Sequence, residues 1–157
     1  MQTFFSILIL VITFTSCKCQ KSITDNENLT PEETMKQSQE MITIEYEETS
    51  RGYFNKIIIS NGEVQVIEAR DAKPKQGLIA PEDKVQLEDL LLNIDKINLK
   101  LLKDPTQKRF YDGAPIAKFR LVENEEIFET RDFDGGYPPK EIEQIVNKIL
   151  EIAAKVK

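Results

Sequence analysis

Residues 53–69 read YFNKIIISNGEVQVIEA, two runs rich in β-branched and aromatic residues joined by Asn61-Gly62. A two-residue type I′ turn needs positive φ at both central residues, and Asn-Gly adopts it at low cost. The stretch therefore predicts a β-hairpin, with strands over Tyr53 to Ser60 and Glu63 to Ala69. Ile57 to Ile59 is continuously apolar, as expected of a strand covered on both faces or central in its sheet.

On the N-terminal side, Ile42, Ile44 and Tyr46 alternate with Thr43, Glu45 and Glu47, the period-two pattern of a half-buried strand. Glu45, Glu47 and Glu48 read as its solvated side. On the C-terminal side, Arg70 to Ala80 contains Lys73-Pro74-Lys75 and Gly77 and reads as loop. Pro81 suits the first position of a helix, and Glu82 and Asp83 suit its first turn, where the helix dipole favours negative charge. Leu87, Leu90, Leu91 and Ile94 then fall on one stripe. Ile97 to Leu102 fits either a further helical turn or a short strand, and Asp104-Pro105 ends it.

The second half repeats this order. Ile116 to Val122 and Glu126 to Phe133 predict a hairpin across Glu123-Asn124-Glu125. A turn at Asp134-Gly135-Gly136 leads through Pro138-Pro139 into a last helix, where Ile142, Ile145, Val146, Ile149, Ala153 and Val156 form a regular apolar stripe. Lys56 to Ile94 and Lys118 to Ile152 each run as hairpin, Arg-Asp, Pro-containing loop and amphipathic helix. The expected fold is α+β: an antiparallel sheet of about five strands with two amphipathic helices on one face, ββα-ββα-like, and the other face open.

The N-terminus has a different character. Residues 1–16, MQTFFSILILVITFTS, contain no charged side chain. The apolar run from Phe4 to Phe14 has the length of a signal-peptide core and is too short to span a bilayer as a helix. Thr15-Ser16-Cys17 places small residues before a cysteine, the arrangement of a bacterial lipobox, in which the cysteine carries a diacylglyceryl thioether. Phe14 stands where Leu is usual, and the n-region lacks a basic side chain, so an ordinary signal peptide or a retained N-terminal anchor fits the same residues. The expected organisation is a signal peptide over 1–16, a lipidated N-terminus and polar tether over 17–40, and a single domain over 41–157. Thr30 and Glu33 form a capping box that suits a short helix from Pro31 to Glu40. Both cysteines, Cys17 and Cys19, lie in this address, so the domain has no internal disulfide available. The expected location is the bacterial cell envelope, with membrane attachment through the lipid.

Composition excludes several chemistries. There is no histidine, so Ser-His-Asp and Cys-His catalysis and His-ligated zinc are ruled out. There is no Gly-rich phosphate loop. A net charge of −6, from 21 basic and 27 acidic residues, opposes binding to a nucleic-acid backbone. A carboxylate pair remains open as an enzymatic device, although no Trp supplies a sugar platform. Asp132, Asp134 and Gly135 resemble part of a calcium loop, but Tyr137-Pro138-Pro139 interrupts it and a turn into a helix fits better. No catalytic residue, metal or cofactor is expected.

Arg109, Phe110, Tyr111 and Tyr137 combine the side chains that concentrate at the centres of protein interfaces. Phe110 and Tyr111 are expected to fold back as a lid on the core; exposed, they would make a contact surface.

The order of strands and helices, with the Pro-Pro-initiated last helix, resembles two groups over roughly Ile42 to Ala154. One is the uncharacterised small lipoproteins abundant in Bacteroidetes, which the Cys17 signal and the Lys-, Ile-, Asn- and Glu-rich composition also suit. The other is the emfourin-type inhibitors of thermolysin-like metalloproteases. The anchor, the tether, the missing catalytic residues and the open sheet face together point to a lipid-anchored, non-enzymatic envelope module with an unidentified protein partner. The second implies a protease inhibitor and carries no reactive residue over to this chain; an inhibitor would need a rigid loop, near Arg109 to Gly113 or Arg70 to Gly77, to enter an active site. Replacing Cys17 by Ala is expected to release the protein from the membrane fraction and abolish labelling by radioactive palmitate. An unchanged fractionation and label would mean an anchor of another kind.

Overall fold

The computed structural model describes residues 42–156. The signal peptide, Cys17, Cys19, the tether with its Pro31–Glu40 helix, and residues 41 and 157 lie outside the described residues. Seven strands form one antiparallel sheet: β1 (Ile42–Ser50), β2 (Tyr53–Ser60), β3 (Glu63–Ile67), β4 (Lys75–Leu78), β5 (Ile116–Glu123), β6 (Glu126–Glu129) and β7 (Phe133–Asp134). Their spatial order is β4-β3-β2-β1-β5-β6, with β7 beside β5. Two α-helices, α1 (Pro81–Leu92) and α2 (Lys140–Ala154), complete the α+β fold.

Both predicted hairpin turns have two consecutive residues in the left-handed region. Asn61 and Gly62 have φ of 54° and 78°, and Asn124 and Glu125 have φ of 49° and 70°. Two consecutive positive φ values mark a type I′ turn, whose twist matches the strands it joins.

The strand count exceeds the expected five for two reasons. The segment read as loop after Arg70 contains β4, which pairs with β3 from Lys75↔Val66 to Leu78↔Glu63. Its residues, KQGL, carry no alternating apolar signal because β4 is an edge strand and three of its four side chains are exposed. The run read as one strand over Glu126 to Phe133 is broken at Thr130. There the buried Thr130 hydroxyl accepts from the Phe119 N–H at 3.1 Å, occupying a ladder position with a side chain.

One face of the sheet carries the core. Ile44 and Tyr46 of β1, Ile57 and Ile59 of β2, Val64 and Val66 of β3, and Phe119 and Leu121 of β5 pack with Leu87 of α1 and the α2 stripe. Ile142, Ile145, Val146, Ile149 and Ile152 are all buried, each contributing roughly 1.5–3 kcal/mol of apolar burial. Ile94 lies past the end of α1 and still packs against this core. The ambiguous segment after it is a 3₁₀ helix, Lys96–Leu101, that buries Leu99.

The α2 stripe also holds a charge. Lys148 is buried on the core side, and its Nζ donates to Asp83 Oδ1 at 2.8 Å, while Lys155 donates to Asp83 Oδ2 at 2.8 Å. Glu151 takes a second bond from each lysine. Asp83 sits in the first turn of α1, so the cluster clamps the start of one helix to the second half of the other.

The opposite sheet face is uncovered by helices and is neutralised by its own residues. Glu45 on central β1 pairs with Lys56 of β2 at 3.0 Å and Arg120 of β5 at 3.2 Å. Arg120 also meets Glu129 of β6 at 2.9 Å, and Lys118 meets Asp132 at 3.3 Å. Such part-exposed pairs add about 0–1 kcal/mol each, so their consequence is a charge-balanced surface more than stability.

Candidate functional site

At the Ser50 end of β1, a loop is wound around one buried carboxylate. Asp134 pairs with Ile116 of β5 and is fully buried. A carboxylate in that position must be held by donors, because an unpaired buried charge costs several kcal/mol. The segment Thr106 to Arg109 supplies them. The Thr106 hydroxyl and the Lys108 backbone N–H donate to one oxygen. The Arg109 backbone N–H at 3.1 Å and its guanidinium at 2.8 Å donate to the other. The same guanidinium also donates to Asp104. Burial alone would raise the Asp134 carboxyl, but the Thr106, Arg109 and Lys108 donors outweigh it and hold the group at about 2. Arg109 is raised above its ordinary value by Asp104 first and Asp134 second.

This pin fixes a short 3₁₀ helix, Lys108–Tyr111, closed by Asp112 in the left-handed region at φ 59°. Gly113 returns the chain by donating its N–H to the Lys108 carbonyl at 2.9 Å. A side chain at Gly113 would meet the Tyr111 ring, its Cβ only 2.8 Å from Cε2.

The expected lid does not form. Phe110 and Tyr111 are 72% and 70% exposed, so they project from the pinned turn into solvent. The reason is local: the buried anchor of this loop is polar, and the residues that turn inward are Thr106 and Arg109. Tyr137 is part-exposed, and the Lys108 ammonium lies 3.7 Å from the centre of its ring. Arg109, read with Phe110 and Tyr111 as a contact residue, is instead the internal support beneath them, its guanidinium carbon 4.5 Å from the Phe110 ring centre. The four candidates are thus brought together at one end of the sheet, with three presented and one supporting.

A second buried acid lies beside them. Glu48, read as solvated, shares the parity of Ile44 and Tyr46 and so faces the core side. It accepts from the Tyr46 hydroxyl at 2.7 Å and the Tyr53 hydroxyl at 2.9 Å. Burial and then the Glu48 carboxylate raise both phenols, Tyr53 to about 12. Gly135 packs against this group so closely that a Cβ would lie 2.8 Å from Glu48 Oε1 and 2.6 Å from Pro115. Its N–H donates to the Pro115 carbonyl at 2.8 Å.

The arrangement of acids bears on the carboxylate chemistry left open above. Asp104 and Asp134 converge, but on Arg109, and Glu48 is occupied by two tyrosines. Among the described residues, no group of three or more Cys, Asp or Glu is placed to hold a metal ion. Also among the described residues, no helix is long and apolar enough to cross a membrane. No protein-family model matches the chain, and no curated protein or solved structure matches it.

The Asp134 pin has a pH consequence. Its folded-state value lies below the ordinary 3.8, so its contribution is present above that pH and lost as pH falls from 3.8 through about 2. The tyrosines behave oppositely: Tyr53 favours folding below pH 10 and loses this as pH rises from 10 through about 12. Asp134→Asn is expected to destabilise the fold by about 3 kcal/mol and flatten the acid limb of stability against pH. Urea unfolding at a series of pH values measures both; an unchanged acid limb would remove Asp134 from its cause.

Proposed function

We propose that this chain is a non-enzymatic binding module of the bacterial cell envelope, lipid-anchored at Cys17, that engages a protein partner through Phe110, Tyr111 and Tyr137. The observation that carries the reading is the Asp134–Arg109 pin. Two large rings exposed on a free loop would lose entropy on binding, whereas a loop already fixed by several buried hydrogen bonds has little order left to gain. Rigid aromatic side chains beside Arg and Lys are also the composition of interface hot spots.

The sheet's uncovered face is the weaker surface. Its acids and bases satisfy one another, so a partner there would have to break existing pairs or leave them buried and desolvated.

The described domain begins at Ile42, and β1 runs nine residues to Ser50, about 26–30 Å at strand rise. The Tyr53, Gly135 and Arg109 cluster lies at the Ser50 end, so the aromatic surface is at the opposite end of β1 from Ile42. The double variant Phe110→Ala/Tyr111→Ala is expected to keep its unfolding midpoint and lose at least about tenfold in partner capture from envelope extracts. Capture equal to wild type would overturn this surface.

The emfourin-type reading keeps one specific support. An inhibitory loop must hold its shape in a protease cleft, and Arg109 to Gly113 is pinned at its base and projects at its tip. Arg70 to Gly77 is less suited, because Lys75 to Gly77 of it is tied into the sheet as part of β4. Titration of thermolysin-like and serine proteases tests this reading. Inhibition at micromolar protein that disappears in the Phe110→Ala/Tyr111→Ala variant is its expected outcome, and no inhibition ends it.

A further inference from the structure

The two edges of the sheet differ in what they offer. β4 closes one side of the strand order and β6 the other. The Ile79 N–H donates to the Gly62 carbonyl at 2.9 Å, and by antiparallel alternation Gly77 and Lys75 likewise turn their backbone groups towards β3. Those of Gln76 and Leu78 therefore point outward, and among the described residues no other backbone group bonds to them. A row of free N–H and C=O groups is a template for a further strand. Leu78 stands on this row with its side chain 84% exposed, on the open-face side of the sheet where its β3 partner is Glu63. β6 is less available, because the 3₁₀ helix Lys96–Leu101 packs beside it.

Charge along the β4 edge favours one kind of occupant. β4 itself contains no acid. Of the ionisable groups around it, Lys75 is paired with Glu68, Lys84 with Glu88, and Asp83 with Lys148 and Lys155. Arg70 is turned away onto Thr49 and the Phe54 ring. Without an ion-pair partner among the described residues are Asp71 and Lys73 ahead of the strand, and Glu63 and Glu82 at its Leu78 end. One end of the edge thus holds a free lysine with a free aspartate, and the other end only free acids. An antiparallel copy laid along β4 sets each end against the other end of its mate.

We infer that a second copy of this chain binds the β4 edge, the two β4 strands pairing antiparallel about a two-fold axis at Gly77. In that register Gln76 of each copy lies opposite Leu78 of the other, and each such pair exchanges both main-chain hydrogen bonds. Gly77 faces its own counterpart at the non-hydrogen-bonded position, where Cα atoms approach to about 4.5 Å. A glycine inside a strand suits such close backbone approach, and a Cβ at Gly77 would already lie 3.3 Å from Val156 Cγ2. Leu78 meets its counterpart diagonally across the axis, within reach of a long side chain, and so leaves water. Lys73 falls opposite position 81 of the second copy, beside its unpaired Glu82. β6 is unsuited to pairing with itself, because Glu126 and Glu129 within it and Glu125 in its turn would bring acid toward acid. The β4 interface is isologous and short, so association is weak in dilute solution and rises where chains are confined together. It does not depend on the aromatic surface: Phe110 and Tyr111 belong to the loop held by β7, beyond β1 and β5 from this edge.

Photocross-linking of the full-length chain in a bacterial envelope tests this. Two differently tagged forms are produced together, with the photoreactive p-benzoylphenylalanine in place of Leu78. The expected product has twice the chain mass and carries both tags. The same replacement at Ile127, exposed on β6, should give none. Gln76→Pro removes an outward N–H and no bond to β3, so it should keep the unfolding midpoint while lowering the product at least about tenfold. Lys73→Glu in both forms, or Glu82→Lys in both, should lower it about threefold, and one form carrying each should restore it. A cross-link to a chain of another mass would overturn the second copy as occupant. No cross-link at Leu78, or one undiminished by Gln76→Pro, would overturn strand pairing at this edge. A mixture of the charge variants no better than either alone would overturn the antiparallel register about Gly77.

Discussion

Asp134 is the constraint on which the Ser50 end of this molecule depends. It sits on a two-residue strand that pairs with β5, and a charged side chain there has no route to solvent. The cost of that burial is met by the loop from Thr106 to Arg109, which winds so that two backbone N–H groups, a hydroxyl and a guanidinium all reach one carboxylate. The loop's shape is thus a solution to an electrostatic problem in the sheet. Phe110 and Tyr111 are exposed as a consequence, because the residues before them are committed inward. Gly135 and Gly113 serve the same end from the other side: each stands where a Cβ would collide, with Glu48 and Pro115 in one case and the Tyr111 ring in the other.

The rest of the fold ties this end to the sheet and its core. β1 is central, paired with β2 on one side and β5 on the other, and carries Tyr46 into the core against Phe133, the neighbour of Asp134. The helices cover one face and are locked together by Asp83, Lys148 and Lys155. The open face balances its own charges. At the Ser50 end the Phe110 and Tyr111 rings stand exposed above the pinned loop.

Much of the framework was legible in the residues because it rests on local rules. Asn61-Gly62 has one low-cost backbone, and the α2 stripe has one period; each stands in the structure as read. The exceptions share a cause. β4 is an edge strand whose side chains meet solvent, so tertiary hydrogen bonding makes it a strand without leaving an apolar trace. Lys148 and Glu48 are polar residues on buried faces. Their parity and helical spacing place them inward, but their chemistry reads outward, and only the partners resolve the conflict. For Lys148 the partner lies far away in sequence, at Asp83, whereas Glu48 is met by its near neighbours Tyr46 and Tyr53. For Asp134 the partners lie at positions 106–109, and no motif records that pairing. The aromatic cluster was visible as a composition, whereas the pin that presents it required the fold.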